Sequence, residues 1–286
     1  MKKLFVGAAV TAALAVVGVP AAMAGPTGGY AVFAQCPVHA ASVNGCIYSP
    51  TESGYIKINK TEVPIVNTQV LQGGLLEETE PFVKHLAGAL NGETLTKTAQ
   101  KVPGGLTDLV NCTEIKGSGW FERELRKACE AIFENKLTGV NAITELAGPA
   151  SGVVLNTASE QLGVGTALTL PVKVRLENEL LGSECYIGSE SEPVALNLTT
   201  GATTGGPTGK PGTKKSKEKG GILEISGVSL VSNTFKVPGA NGCGPFGLLD
   251  GIVDSKLGLP SAAGNNTAVL NGKVEIANSE LVEESE

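Results

Sequence analysis

A mainly β fold, an antiparallel β-sandwich or barrel with a few short helices and disulfides, is predicted for this chain by three observations. Apolar and polar residues alternate in short runs, 38 Gly and 15 Pro punctuate those runs, and six cysteines follow an apolar leader. Alternation with period two places one face of a strand in a core and the other in water. Frequent Gly and Pro supply the turns that join many short strands. The 42% hydrophobic content, against 17% charged residues, is too apolar for a disordered chain.

The first segment, residues 1–24, reads as a cleavable signal peptide. Lys2 and Lys3 give it a positive start, an apolar run follows to Val19, and Ala22 and Ala24 form a small-residue exit. The run is shorter than the roughly 20 residues a spanning helix needs, and Pro20 closes it. Cleavage before Gly25 leaves 262 residues (286 − 24) and shifts the formal charge from −6 to −8 through loss of the two lysines. No cysteine stands at the cleavage point to take a lipid, so release or non-covalent retention in a cell envelope is expected, without a transmembrane anchor. Residues 25–286 are expected to form a single β-rich secreted domain, a size at which β domains commonly stay undivided.

Ile56 and Ile58, then Val63 and Ile65, flank Asn59-Lys60 as two short strands and a turn. Residues 80–90 predict a weak helix closing at Gly92. A stronger helix is predicted over 120–133, where Phe121, Leu125, Cys129 and Ile132 recur at spacings of three and four. Ser118 is its expected N-cap, Glu122 and Arg126 its expected i,i+4 pair, and Trp120 an expected partly buried packing residue. The clearest strand has Leu168, Leu170, Val172, Val174 and Leu176 alternating with Thr169, Pro171, Lys173 and Arg175. Pro171 cannot donate to a ladder, which predicts an edge or a bulge there.

Val194, Leu196 and Leu198 repeat the alternation, as do Val274 and Ile276. Residues 222–237 predict two more strands divided near Ser232-Asn233, and 246–257 a helix ending before Pro260. Between strands, residues 199–221 are rich in Thr, Gly, Pro and Lys and read as a flexible loop. They hold the one basic cluster: Lys210, Lys214, Lys215, Lys217 and Lys219.

Cys36, Cys46, Cys112, Cys129, Cys185 and Cys243 are an even set in an exported chain, which allows three disulfides. Sequential pairing is expected. Cys36 and Cys46 bracket the turn dipeptide Asn44-Gly45, Cys112 and Cys129 tie a helix to the loop before it, and Cys185 with Cys243 closes the Lys-rich excursion. No Cys-x-x-Cys occurs, so no metal site is assigned.

Catalytic chemistry has few carriers here. His39 and His85 are the two histidines, and neither sits in a G-x-S-x-G, H-E-x-x-H or phosphate-loop context, so no catalytic or cofactor-binding residue is assigned and no cofactor is expected. Glu77, Glu78 and Glu80, or Glu184, Glu190 and Glu192, could supply a carboxylate pair for glycoside hydrolysis, but one Trp, four Tyr and seven Phe offer few rings to hold a sugar. The acidic balance argues against nucleic acid.

Several strings resemble those of a group of uncharacterised secreted proteins of actinobacteria. They are Val102-Pro103-Gly104-Gly105-Leu106 leading to Asn111-Cys112, and residues 137–147 (LTGVNAITELA), 170–189 (LPVKVRLENELLGSECYIGS) and 257–272 (LGLPSAAGNNTAVLNG). Residues 77–90 fit that pattern least. The resemblance implies a bacterial, exported, β-rich protein and transfers no activity.

The expectation is therefore a secreted or envelope-associated, non-enzymatic structural or binding module, with an envelope polymer or a small apolar ligand as partner. The alternatives are a secreted hydrolase using carboxylates on envelope or extracellular polymers, and an oligomeric or pore-forming β protein.

Overall fold

The computed structural model describes residues 25–77, 80 and 82–286, so the expected signal peptide lies outside the described residues. Chain order runs β1 (Val43–Ile58), β2 (Thr61–Pro64), β3 (Gln69–Leu76), β4 (Val83–Ala87), β5 (Ala99–Lys101), α1 (Leu106–Leu109) and α2 (Trp120–Glu134). It continues through β6 (Asn141–Leu146), β7 (Val154–Asn156), α3 (Thr157–Leu162), β8 (Leu168–Glu177), β9 (Tyr186–Ile187) and β10 (Val194–Leu198). The last elements are β11 (Thr213–Lys217), β12 (Ile222–Ser232), β13 (Ala240–Asn241), α4 (Asp250–Leu257), β14 (Asn266–Asn278) and α5 (Ser279–Glu283).

All pairings are antiparallel, in a 14-stranded sheet of order β11-β12-β14-β1-β3-β4-β7-β8-β6-β5, with β2 added to β1, β10 and β9 to β8, and β13 to β9. β4 joins the two halves, pairing β3 with one end and β7 with the other. The halves face one another across a common core, which packs Ile47, Leu71, Leu75 and Val274 with Leu168, Leu170, Val172 and Leu196. A bridge from Thr199 to Val231 brings the end of β10 back to β12. A second core lies on the outer face of the β1 half, where the turn Gly28–Phe33 and α5 cover Cys46, Ile222 and Ala277.

Two bulges keep the long strands in phase with this core. β1 shifts register between Thr51 and Ser53, β12 shifts between Ser226 and Val228, and both shifts lie opposite Gly272 of β14. One extra residue reverses the facing of all that follow. Ile47 and Ile56, nine positions apart, therefore both meet the inner core, as do Ile225 and Val228. A Cβ at Gly272 would collide with the Pro50 carbonyl, so a glycine is required at this corner.

Several expectations are corrected. Residues 83–87 form strand β4 and not a helix, because Val83, His85 and Ala87 alternate with Lys84 and Leu86, and pairing on both sides buries Leu86. Residues 222–237 give one strand and not two: β12 ends at Ser232, where the division was expected, and beyond Asn233 only Val237 bridges, to Ser261. The 199–221 segment is not a loop throughout. It contains edge strand β11, whose Lys217 pairs with Glu224 and Glu275 across β12 and β14. Lysines on a sheet edge also oppose strand addition from another chain.

Pro171 lies in a central strand, opposite Ala195 of β10, at the point where the other neighbour of β8 changes from β7 to β6. Its carbonyl accepts from Ala147 N–H at 3.1 Å, and the gap between β6 and β7 tolerates the missing donor. Asn44-Gly45 falls within β1 and is not a turn. The helix over 120–133 is present as α2, but Gly119 is its N-cap, and Arg126 donates to the carbonyls of Ile115 and Gly117 instead of meeting Glu122.

Candidate ligand-binding surface

The three disulfides join Cys36 to Cys46, Cys112 to Cys129 and Cys185 to Cys243, with Cα separations of 5.6, 5.8 and 4.0 Å. This is the sequential arrangement. Cys36–Cys46 pins the N-terminal turn to β1. Cys112–Cys129 fastens the buried side of α2 to the turn Cys112–Glu114, and Cys185–Cys243 joins the residues flanking the β9·β13 ladder. No free cysteine is present.

The histidines do structural work at separate places. His39 Nδ1 lies 3.1 Å from Glu283 Oε1 and Nε2 3.3 Å from Glu286 Oε2, which ties the loop after Cys36 to the C-terminal helix. His85 on β4 has Nδ1 2.7 Å from the Ser151 carbonyl oxygen. Glu77, Glu80, Glu184, Glu190 and Glu192 are exposed, and Glu78 lies outside the described residues. Among the described residues, no hydrogen bond joins any of these carboxylates to a histidine, and no group of three or more His, Cys, Asp or Glu side chains is placed to hold a metal ion.

Two voids lie between the sheet halves. The larger, about 60 Å³, is bounded by Ile56, Ile58, Val63, Val174, Leu176 and Ile187, with Gln69, Gln100 and Thr144 among its polar lining. The Gln100 amide is spent on the backbone: Oε1 accepts from Val66 and Asn67 N–H, and Nε2 donates to the Asn67 carbonyl. The smaller void, about 20 Å³, is apolar except for Ser49 and Glu160. Glu160 is 5% exposed, its Oε1 has no partner among the described residues, and burial pushes its carboxyl above the usual range against the weaker pull of Lys214. Pockets that enclose a drug-sized molecule run to roughly 300–1,000 Å³. The core is therefore filled, and a sizeable ligand has to be met at the surface.

At the surface, Phe82 is a lone uncovered ring, 57% exposed, whereas α2 and the loop before α4 bring several rings together. Trp120, the first residue of α2, is 71% exposed rather than packed, and Phe246 is 94% exposed. Phe121 lies between them, half-buried, with its ring centroid 5.7 Å from Trp120 and 5.8 Å from Phe246. The rings are inclined, at 83° and 54°, so they present faces in different directions. Leu248, 44% exposed, extends the patch.

Local sequence explains both displays. α2 buries Leu125 and Cys129 through its apolar stripe, and the residues that begin it project beyond the core. Glu122 folds back over the helix start, where a Cβ at Gly119 would collide with its carboxylate. Phe246 sits in Gly244-Pro245-Phe246-Gly247 with φ 57°, the left-handed region, at a cost of about 1–2 kcal/mol for a residue with a Cβ. The loop is held on both sides. Cys243 is disulfide-bonded and its N–H donates to Asp250 Oδ1 at 2.6 Å, Gly244 N–H donates to the Leu181 carbonyl at 2.7 Å, and α4 follows at once. Asp254 of α4 accepts from Ala240 N–H at 2.6 Å, and burial raises its carboxyl above the usual range.

An open hollow of about 460 Å³ is bounded by the segments that carry these rings. Ile115 and Ile252 form its buried floor, and Glu114, Lys116, Glu122 and Ser255 supply polar groups around it. Lys256 Nζ lies 3.3 Å from Glu114 Oε1, so one of the rim carboxylates is already neutralised. The arrangement offers ring faces, an apolar floor and both hydrogen-bond donors and acceptors, all reachable from solvent.

The sequence led us to expect Trp120 partly buried and Phe246 at the start of a helix; Trp120 is instead exposed, and the helix α4 begins only at Asp250. The readable signal was a bulky aromatic inside a Gly-Pro-x-Gly turn, where small residues are the rule. The approach of residue 246 to residue 121 is tertiary and has no local signature. Comparison with protein-family models, with curated proteins and with solved structures finds no match.

Proposed function

We propose that the protein is exported and serves as a non-enzymatic binding module, held in the extracellular space or cell envelope, that grips an envelope polymer through Trp120, Phe121 and Phe246. The observation that carries this reading is Phe246, a large ring held in a costly backbone conformation with almost its whole surface in water. Covering a Phe side chain is worth about 1.5–3 kcal/mol, which this loop forgoes unless a partner supplies the cover. Backbone strain of this kind concentrates at functional sites.

Export is supported by the leader over residues 1–24 and by three disulfides, which persist in oxidising compartments. Among the described residues no helix is long and apolar enough to cross a membrane. The resemblance to secreted actinobacterial proteins points the same way. The filled core disfavours carriage of an enclosed ligand, and surface contact by preset rings fits the remaining geometry.

Co-sedimentation with envelopes of the source organism tests this reading. The mature protein is expected to pellet with the envelopes, and the double variant Trp120→Ala, Phe246→Ala to stay in solution. Both side chains are exposed, so its stability should stay within about 0.5 kcal/mol of the parent's. Equal pelleting of a folded double variant contradicts the proposal.

A further inference from the structure

Resting on that reading, we infer that the polymer recognised by the ring cluster is a neutral glycan. The hollow is lined by Glu114, Glu122 and Lys116, and Lys256, outside the lining, engages Glu114 at 3.3 Å and balances the charge. Equal numbers of opposite charges leave no field to gather a polyanion or the headgroups of an anionic membrane, each of which needs a basic face. A polycation is equally unprovided for.

The remaining chemistry is that of a polyhydroxylated ring. One side of a pyranose presents C–H bonds that sit well on the electron-rich face of an aromatic ring, and its edge presents hydroxyls that both donate and accept. Trp120 and Phe246 present such faces, and Glu122, Lys116 and Ser255 present acceptors and donors at the rim of a hollow whose floor, Ile115 and Ile252, is apolar.

Rigidity matters as much as composition. Cys112–Cys129 fixes the helix that carries Trp120 and Phe121, and Cys185–Cys243 fixes the loop that carries Phe246. Rings held in place before contact spare the ordering entropy that otherwise weakens adhesion to a flexible chain. Inclined rings also suit successive sugars, whose faces turn along a polymer.

The test is affinity electrophoresis and titration calorimetry of the mature protein against soluble neutral polysaccharides (dextran, mannan, galactan and xyloglucan), with hyaluronate and heparin as polyanions. Binding to at least one neutral polymer is expected, changed less than about twofold between about 50 and about 500 mM salt. Trp120→Ala should weaken it about tenfold or more, with Trp120→Phe intermediate. Three results overturn the inference: binding only to the polyanions with steep salt dependence, envelope pelleting abolished by protease treatment of the envelopes, or ring-dependent pelleting with no neutral polymer bound. All three leave a ring-mediated binding module standing. Pelleting that ignores Trp120 and Phe246 removes the module reading itself, so the two failures are separable.

Discussion

Phe246 and Glu160 are opposite departures from the rule that apolar groups go inside and charges outside. Phe246 keeps an apolar ring in water, while Glu160 keeps a carboxyl in a void lined by Ile47, Leu71, Leu86 and Leu168. Burial raises the folded-state pKa of Glu160 above its unfolded value. The associated stability is therefore fully present below the ordinary carboxylate range and is lost as pH rises through the raised folded value. The charge of Lys214 opposes this in part. Unfolding free energy measured from about pH 4 to about pH 8 should accordingly fall more in the parent than in Glu160→Gln. Parallel profiles would show that the carboxyl finds a partner or water in the folded state. Phe246 was legible only as a bulky ring inside Gly244-Pro245-Phe246-Gly247, and Glu160 not at all. Glu160 is polar at its position in a short helix, and strands distant in sequence, among them β1, β3, β8, β12 and β14, line the void that encloses it. Trp120 was misplaced because it stands one residue before the stripe Phe121, Leu125, Cys129 and Ile132 and off its face, so the burial of the stripe does not extend to it.

Among the elements, those whose facing is set by local pattern were readable. β8, β10 and α2 each keep one period from end to end, and the burial of β10 alternates without exception. Elements interrupted by bulges or completed by distant pairing were not. β3 contains Gly73-Gly74 in place of apolar residues, β4 has five residues whose partners lie on two different strands, and β12, which ends at Ser232 as expected, hides only its bulge at Gly227. β11 reads as loop because an edge strand whose Lys217 meets Glu224 and Glu275 needs no apolar residue. The disulfide in α2 yields a direct prediction. Cys129 is fully buried, and Cys129→Ser should lower stability by about 2–4 kcal/mol in urea or thermal unfolding. The same change should weaken envelope binding, because α2 is then free to shift Trp120 and Phe121 relative to Phe246. Undiminished stability would mean that packing alone holds α2.

For the whole molecule, the 14-stranded sheet acts as a filled scaffold whose ends carry the chemistry. Its core leaves voids of about 60 and 20 Å³ and thus little room for a guest, so the account places recognition where α2 and the α4 loop meet. Trp120 is the sole tryptophan of the chain and stands in that surface. Its fluorescence consequently reports on the proposed site without a label or a substitution. The most direct measurement is the emission and iodide quenching of the mature protein as solubilised envelope polymer is added. A shift to shorter wavelength with protection from iodide, saturating with the same midpoint as binding, is the predicted result. Binding that saturates while the tryptophan stays as red and as quenchable as in the free protein would contradict the account.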